Sequence, residues 1–343
     1  MKNINIKSSF KPAWWLNNSH LQTIYPSLFR IVRLPHTRRE RFFTSDHDFF
    51  DVDWLGEEHH PIIILLHGLT GSSQSGYIKG MQKKLTHDGF RTAALNFRGC
   101  SGELNHRARC YHSGETEDLD LLYTTLRERE PNMPIGVVGF SLGGNVLLKW
   151  LGESAKSLFL FAAVAVSVPL QLSICATTLD KGFAKLYRYR LISELKQFIS
   201  DKKVYLEVLG LIDEAYKITN LGDISQIKSF WQYDDQVVAK LHSFKDAQDY
   251  YHQSSSQQFL KLITVSTLII HAIDDPFMTP EVLPNKEQLS DFVSLEVAKG
   301  GGHVGFISGK TPFKPVYWLD QRIPEFLKSK LLTWRPSHLT TSQ

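Results

Sequence analysis

The chain has 343 residues, 42% of them hydrophobic and 22% charged, which allows one large core with an insertion or two small domains. Its formal net charge is +4, and the only dense basic run, Arg38–Arg39–Glu40–Arg41, is broken by an acid, so the clustered footprint of a nucleic-acid-binding face is excluded. Three widely spaced cysteines with no C-x-x-C pair exclude a disulfide framework or a cysteine zinc site and fit a reducing, cytoplasmic setting.

Taken in chain order, the first thirty residues hold Trp14 and Trp15 but no apolar stretch of signal-peptide type. The segment to about Arg41 reads as an N-terminal extension, with "WWLNNSHLQTIYPSLFR" (14–30) packed on the outside of a sheet. "RFFTSDHDFFDVDWLG" (41–56) reads as a hairpin with Ser45 to Asp48 as its turn. Five runs then have strand length and apolar cores without clean alternation: 61–68, 90–99, 133–141, 160–169 and 266–275. Strands covered on both faces read in this way. Helical patterns over 77–89, 114–130 and 145–154 lie between them, which predicts a mostly parallel sheet with helices on both faces. The longest apolar run, Leu158 to Leu170, falls short of the roughly 20 residues that a membrane span needs. From about 171 to 260 the alternation stops and helix-like, aromatic-rich segments such as 181–203 take over. Because a strand returns at 266–272, this stretch is expected to be a helical cap within a single α/β domain rather than a separate domain.

One motif in this layout can carry chemistry. "GFSLGG" (139–144) places Ser141 between Gly139 and Gly143, where an apolar strand run gives way to a helix. A G-x-S-x-G pattern alone also describes an ordinary tight turn; the strand–turn–helix context is what lifts a serine hydroxyl out at a strand end. A nucleophilic serine needs a base, a group to orient that base, and donors for the developing oxyanion. The backbone N–H of Leu142 is one donor, and that of Leu69, in "LLHGLTGSSQSGY" (65–77), is the candidate for the second. His67 at that strand end is read as holding the loop, not as the base.

Of the 14 histidines, His303 in "KGGGHVGF" (299–306) satisfies the chain order serine, acid, histidine, and three preceding glycines allow a sharp loop. The acid lies in "IIHAIDDPFMTP" (269–280), where Asp274 and Asp275 compete. Asp275, which opens the Asp-Pro turn, is the preferred partner, with Asp274 left a structural role. Arg98 and Cys100, in "LNFRGCSGELN" (95–105), are read as structural.

Eight stretches between Trp14 and Phe306 carry a family resemblance, among them "WLNNSHLQTIYPSL", "LLHGLTGSSQSGYI", "GFSLGGNVLLKWLGE", "DAQDYYHQSS", "LIIHAIDDPFMTPEVLP" and "GGGHVGF". Through them the chain resembles the YheT-type hydrolases of the AB hydrolase 4 family, within the α/β-hydrolase superfamily. The resemblance implies a Ser–Asp–His ester hydrolase, with those roles on Ser141, Asp275 and His303. It further implies short acyl esters as substrates, while some eukaryotic relatives act on phospholipids and carry an N-terminal membrane anchor. The expected partner is thus a small-molecule or lipid-like ester, with no metal or organic cofactor required. Thioesterases, amidases and lipases use the same triad. A fold kept as a non-catalytic ligand receptor is the reading of another class, and it would be expected to have lost a triad member.

Overall fold

The computed structural model describes residues 5–154 and 159–335, so Leu158 of the long apolar run lies outside the described residues. Five strands form the middle of one sheet: β4 (Ile62–Leu66), β5 (Arg91–Asn96), β6 (Ile135–Phe140), β7 (Leu160–Val166) and β8 (Thr267–Ala272). They are the five runs expected from composition. β9 (Val293–Ala298) and the three-residue β1 (Asn5–Lys7) extend one edge, and the hairpin β2 (Arg38–Phe43) and β3 (Phe49–Leu55) extends the other. The order is β1-β9-β8-β7-β6-β4-β5-β3-β2, with every pairing parallel except β5–β3 and β3–β2, so β3 alone runs against the other strands. A two-stranded ribbon of β10 (Ile307–Ser308) and β11 (Val316–Tyr317) stands apart.

Every residue of β4, β6, β7 and β8 is buried, which is why no alternation shows in their sequence. The pleat nevertheless sorts them. Ile63 and Leu65 join Val138, Val164 and Ile270 in a core shared with α2 (Gly76–His87) and α10 (Leu319–Thr333). Ile62, Ile64 and Leu66 face the other way, onto α3 (Glu117–Arg129) and α4 (Leu142–Glu153).

Two features of the N-terminal segment add to what was expected. β1 and the start of β2 (38–40) belong to the sheet itself, while the rest of β2 lies in the hairpin expected over 41–56. In the stretch 14–30, expected on the outside of the sheet, α1 (Ser19–Phe29) packs on the loop 299–307 that carries His303. Gln22, buried in α1, donates to the Leu16 and Ile307 carbonyls and accepts from the Ile307 amide.

Between β7 and β8 run α5 (Leu172–Thr178), α6 (Ala184–Val208), α7 (Ile212–Thr219), α8 (Phe230–Tyr233), a π-helical turn (Asp234–Ala239), α9 (Ala247–Ser254) and a 3-10 turn (Ser256–Leu262). This helical insert has its own apolar core, built around Leu195, Ile199, Leu206, Tyr233 and Val237. Polar groups tie it to the main body. Lys202 of α6, fully buried, donates to Asn105 Oδ1 and to the Arg109 carbonyl, and burial pushes its ammonium down to about 8. Asn145 of α4 donates to the carbonyls of Ser113 and Ser254 at 2.8 and 2.7 Å, and accepts from the Ser256 amide at 3.0 Å. It therefore clamps the insert one helical turn beyond Ser141.

Arg98, just past β5, has the structural role expected of it. Its guanidinium pairs with Asp118 at the start of α3 at 2.8 Å and with Asp46 in the hairpin turn at 2.7 Å. Removing the cation would leave Asp118 buried and uncompensated. Arg98→Leu is therefore expected to lower stability by about 3–5 kcal/mol, read as a fall in the urea midpoint at constant slope. A midpoint within error of wild type would show that this network does not hold the hairpin.

Candidate active site

The turn after β6 builds the first part of the site. Ser141 has φ 52° and ψ −119°, a conformation that a side-chain-bearing residue adopts only under constraint. The constraint is packing. A Cβ on Gly139 would come within 2.4 Å of the Gly143 carbonyl oxygen, and one on Gly143 within 2.5 Å of that of His67. The two glycines that bracket the serine are thus required by close backbone approach. The Ser141 amide donates to Val166 O on the neighbouring strand at 2.8 Å, which fixes the turn to the sheet.

His303 and Asp275 meet this serine from two other loops. His303 Nδ1 lies 2.9 Å from Asp275 Oδ2, and Nε2 lies 2.8 Å from Ser141 Oγ. A carboxylate only accepts, so Nδ1 carries the proton and Nε2 is free to accept from the serine O–H. Asp275 Oδ1 takes the Phe277 amide at 2.9 Å, which fixes the orientation of the carboxylate. The Phe277 ring stacks on the imidazole, with centroids 4.1 Å apart and planes 3° from parallel. Below the histidine, Thr23 Oγ1 of α1 accepts the His303 amide at 2.9 Å, and Ser167 Oγ accepts that of Val304 at 3.0 Å. Neither contact left a signal in the sequence, because partners 280 and 137 positions apart share no local pattern.

Asp274 occupies a different place. It makes no hydrogen bond to the imidazole among the described residues; its Oδ1 accepts from the Gly302 amide at 3.0 Å and so holds the glycine loop. Burial raises its carboxyl above the ordinary aspartate range, against the pull of the Gly302 and Gly301 amides.

The loop after β4 lies against the serine: a Cβ on Gly68 would stand 3.2 Å from Ser141 Cβ. His67 is fully buried, donates through Nδ1 to its neighbour's carbonyl, Gly68 O, and accepts the Phe97 amide at Nε2. Burial pushes it down to about 4. It holds the loop, as read from the sequence. Two tyrosines that sequence reasoning missed, Tyr111 buried and Tyr77 half-buried, complete the support: Tyr77 Oη accepts the Gly68 amide at 2.8 Å and Tyr111 Oη that of Thr70 at 2.9 Å. The Leu69 amide between them has no acceptor among the described residues. That of Leu142 opens α4, where first-turn amides lack an intrahelical acceptor. Cys100 sits near this loop, and burial pushes its thiol up to about 12, away from nucleophilic behaviour.

A serine at a strained strand–helix turn, joined to an imidazole and a carboxylate in the order serine, acid, histidine, is an arrangement seen in one large group of enzymes. Residues 61–310 match the family model described as the alpha/beta hydrolase fold. The chain belongs to the α/β-hydrolase family. Within it the chain is 38% identical over 331 residues to the Escherichia coli (strain K12) protein named "Putative esterase YheT", covering 94% of both chains. It is thus YheT-type, as the motifs implied. Bos taurus "Phospholipase ABHD3" is 26% identical over 337 residues, 95% of this chain and 80% of the relative. Among solved α/β-hydrolase structures, the Pyrococcus furiosus esterase Pf2001 superimposes with a TM-score of 0.56 at 17% identity, covering 97% of each chain. That likeness shows the fold.

Proposed function

We propose that this α/β hydrolase is a serine carboxylic-ester hydrolase in which Ser141 is the nucleophile, His303 the general base and acid, and Asp275 the group that orients the imidazole and stabilises its charged form. The hydrogen-bonded line from Asp275 through His303 to Ser141 carries the reading. In this mechanism Ser141 attacks the ester carbonyl as Nε2 takes its proton. The amides of Leu69 and Leu142 receive the tetrahedral oxyanion, and His303 returns the proton to the departing alcohol. Water, activated by the same nitrogen, then releases the acyl group. None of these steps calls for a metal or an organic cofactor. A fluorophosphonate probe tests it: covalent labelling at Ser141 is expected, and folded protein that stays unlabelled would favour a receptor instead of an enzyme.

The helical insert is proposed as a cap on a single domain. Leu69 and Phe277, which flank the serine and the imidazole, pack against both the main core and the core of the insert. Tyr187 of α6 meets Phe277 at 5.0 Å. A roof this close leaves limited room for an acyl chain, which favours short acyl esters. Each methylene that fits adds about 0.8 kcal/mol of burial, close to fourfold in kcat/KM. A chain that overfills the space gains nothing. Aryl esters of rising acyl length are therefore expected to show a short-chain optimum, and Tyr187→Ala to move it to longer chains with probe labelling intact. A flat profile that ignores Tyr187→Ala would remove the insert from the acyl pocket. The three cysteines, all free, fit a reducing, cytoplasmic setting.

A further inference from the structure

α1 turns two polar residues inward: Gln22, 1% exposed, and Thr23 hold the backbone of the His303 loop. Of its apolar stripe at Leu21, Ile24, Tyr25 and Leu28, the i, i+3, i+4, i+7 spacing that normally faces a core, the middle pair is half-buried, Tyr25 against Trp15 and the small cluster of Ala13, Leu16 and Ile307, while both ends are exposed. Leu21, Leu28 and Phe29 are exposed, and the chain leaves the helix through Ile31, 86% exposed. Two neighbours widen the face. Trp14, itself exposed, donates to the Lys310 carbonyl at 3.0 Å, and Tyr25 donates to that of Pro312 at 3.2 Å. They bring alongside a loop whose tip is Phe313, 92% exposed. Scattered single apolar residues on a surface need no explanation; a helix stripe continuous with a loop tip does.

The charge on this face has one sign. No aspartate or glutamate occurs before Glu40, or between Glu296 and Asp320, so both segments that build the face carry only bases. Lys11, Arg33, Lys310 and Lys314 are exposed around the apolar residues. A second copy of the chain is a poor occupant, because a two-fold interface sets the same patch against itself and would oppose these cations. Apolar side chains ringed by lysine and arginine match the headgroup and acyl boundary of an anionic lipid layer, to which each nearby base is attracted. No helix among the described residues is long and apolar enough to cross a membrane, so the contact is one of lying on the layer.

We infer that the outer face of α1, with Trp14 and Phe313, docks the protein on an anionic lipid surface. This goes beyond the esterase reading. It would set the catalytic loop one helix thickness from the layer, since the opposite side of α1 holds the His303 amide. The rim of the site is also near: His20 of α1 reaches Tyr187 Oη at 3.1 Å, and the Tyr187 ring meets the Phe277 ring that covers His303.

The test needs no turnover. The full chain is sedimented with vesicles of phosphatidylcholine alone or mixed with phosphatidylglycerol, at low and high salt. Binding is expected to the mixed vesicles, to be weaker by about tenfold or more without the anionic lipid, and to fall as salt rises. The variant combining Leu28→Ser, Phe29→Ser and Ile31→Ser is expected to lose about tenfold or more in vesicle partitioning. Its kcat/KM on a soluble short-chain aryl ester and its Tm should stay unchanged. Wild-type protein that remains in the supernatant with mixed vesicles overturns the inference, as does a triple variant that partitions like wild type. So does a lipid-free dimer in analytical ultracentrifugation that the same three changes dissociate. Failure of the ester reading would leave every vesicle result standing.

Discussion

Ser141→Ala and His303→Ala are each expected to remove ester hydrolysis by on the order of 10⁴- to 10⁶-fold while leaving the fold intact. The size follows from the role proposed for each atom. Without Oγ there is no nucleophile, and without Nε2 the serine proton at 2.8 Å has nowhere to go. Both steps belong to one proton transfer, so the double variant should be little worse than either single one, a strongly non-additive result. The residual rate would come from the amides of Leu69 and Leu142, which neither change touches. Alanine at 141 keeps the β-carbon that the packed turn already accommodates, and far-ultraviolet circular dichroism and Tm provide the check on folding. A folded Ser141→Ala protein with wild-type turnover would remove the nucleophile from this serine.

How much of this arrangement can be read before folding depends on the range of the signal. Ser141, Asp275 and His303 each stand in a short stretch whose own residues announce a turn at a strand end, and the structure brings all three together. The five inner strands are legible because burial on both faces leaves continuous apolar runs. β9 was missed for the opposite reason. "VSLEVA" alternates, with Glu296 buried at an interior position where Arg322 pairs with it at 2.7 Å, and a buried charge disguises a strand. β1 has three residues, too few to show a period. The bracing of the His303 loop by Gln22 and Thr23 is a purely tertiary fact, as is the capture of the Gly68 and Thr70 amides by Tyr77 and Tyr111. The motif "LNNSHLQTIYPSL" marks the first of these only through family resemblance, and nothing in its composition says that its polar residues face inward.

The two adjacent carboxylates provide the other large effect, and here geometry predicts a sharp contrast. In Asp275→Asn, the Phe277 amide at 2.9 Å from Oδ1 would select the side-chain oxygen for its own position. The new NH₂ would then face His303 Nδ1, in the place where Oδ2 now stands at 2.9 Å. Two donors cannot share that contact. The imidazole would shift its proton to Nε2, which then points a hydrogen at Ser141 and cannot accept one. Turnover is expected to fall by about 10⁴-fold with the protein still folded. Asp274→Asn should behave differently. Its oxygen can still accept the Gly302 amide, and it has no hydrogen bond to the imidazole to lose. Its burial already raises the carboxyl, so replacing it by a neutral amide removes a desolvated charge while only weakening the contact with the glycine amide. A change of less than about tenfold in kcat is expected, with a shift in Tm of either sign. Steady-state kinetics of the two variants on one aryl ester decide the assignment. A large loss at Asp274 with a small one at Asp275 would make Asp274 the partner of the histidine and require the loop to rearrange during turnover.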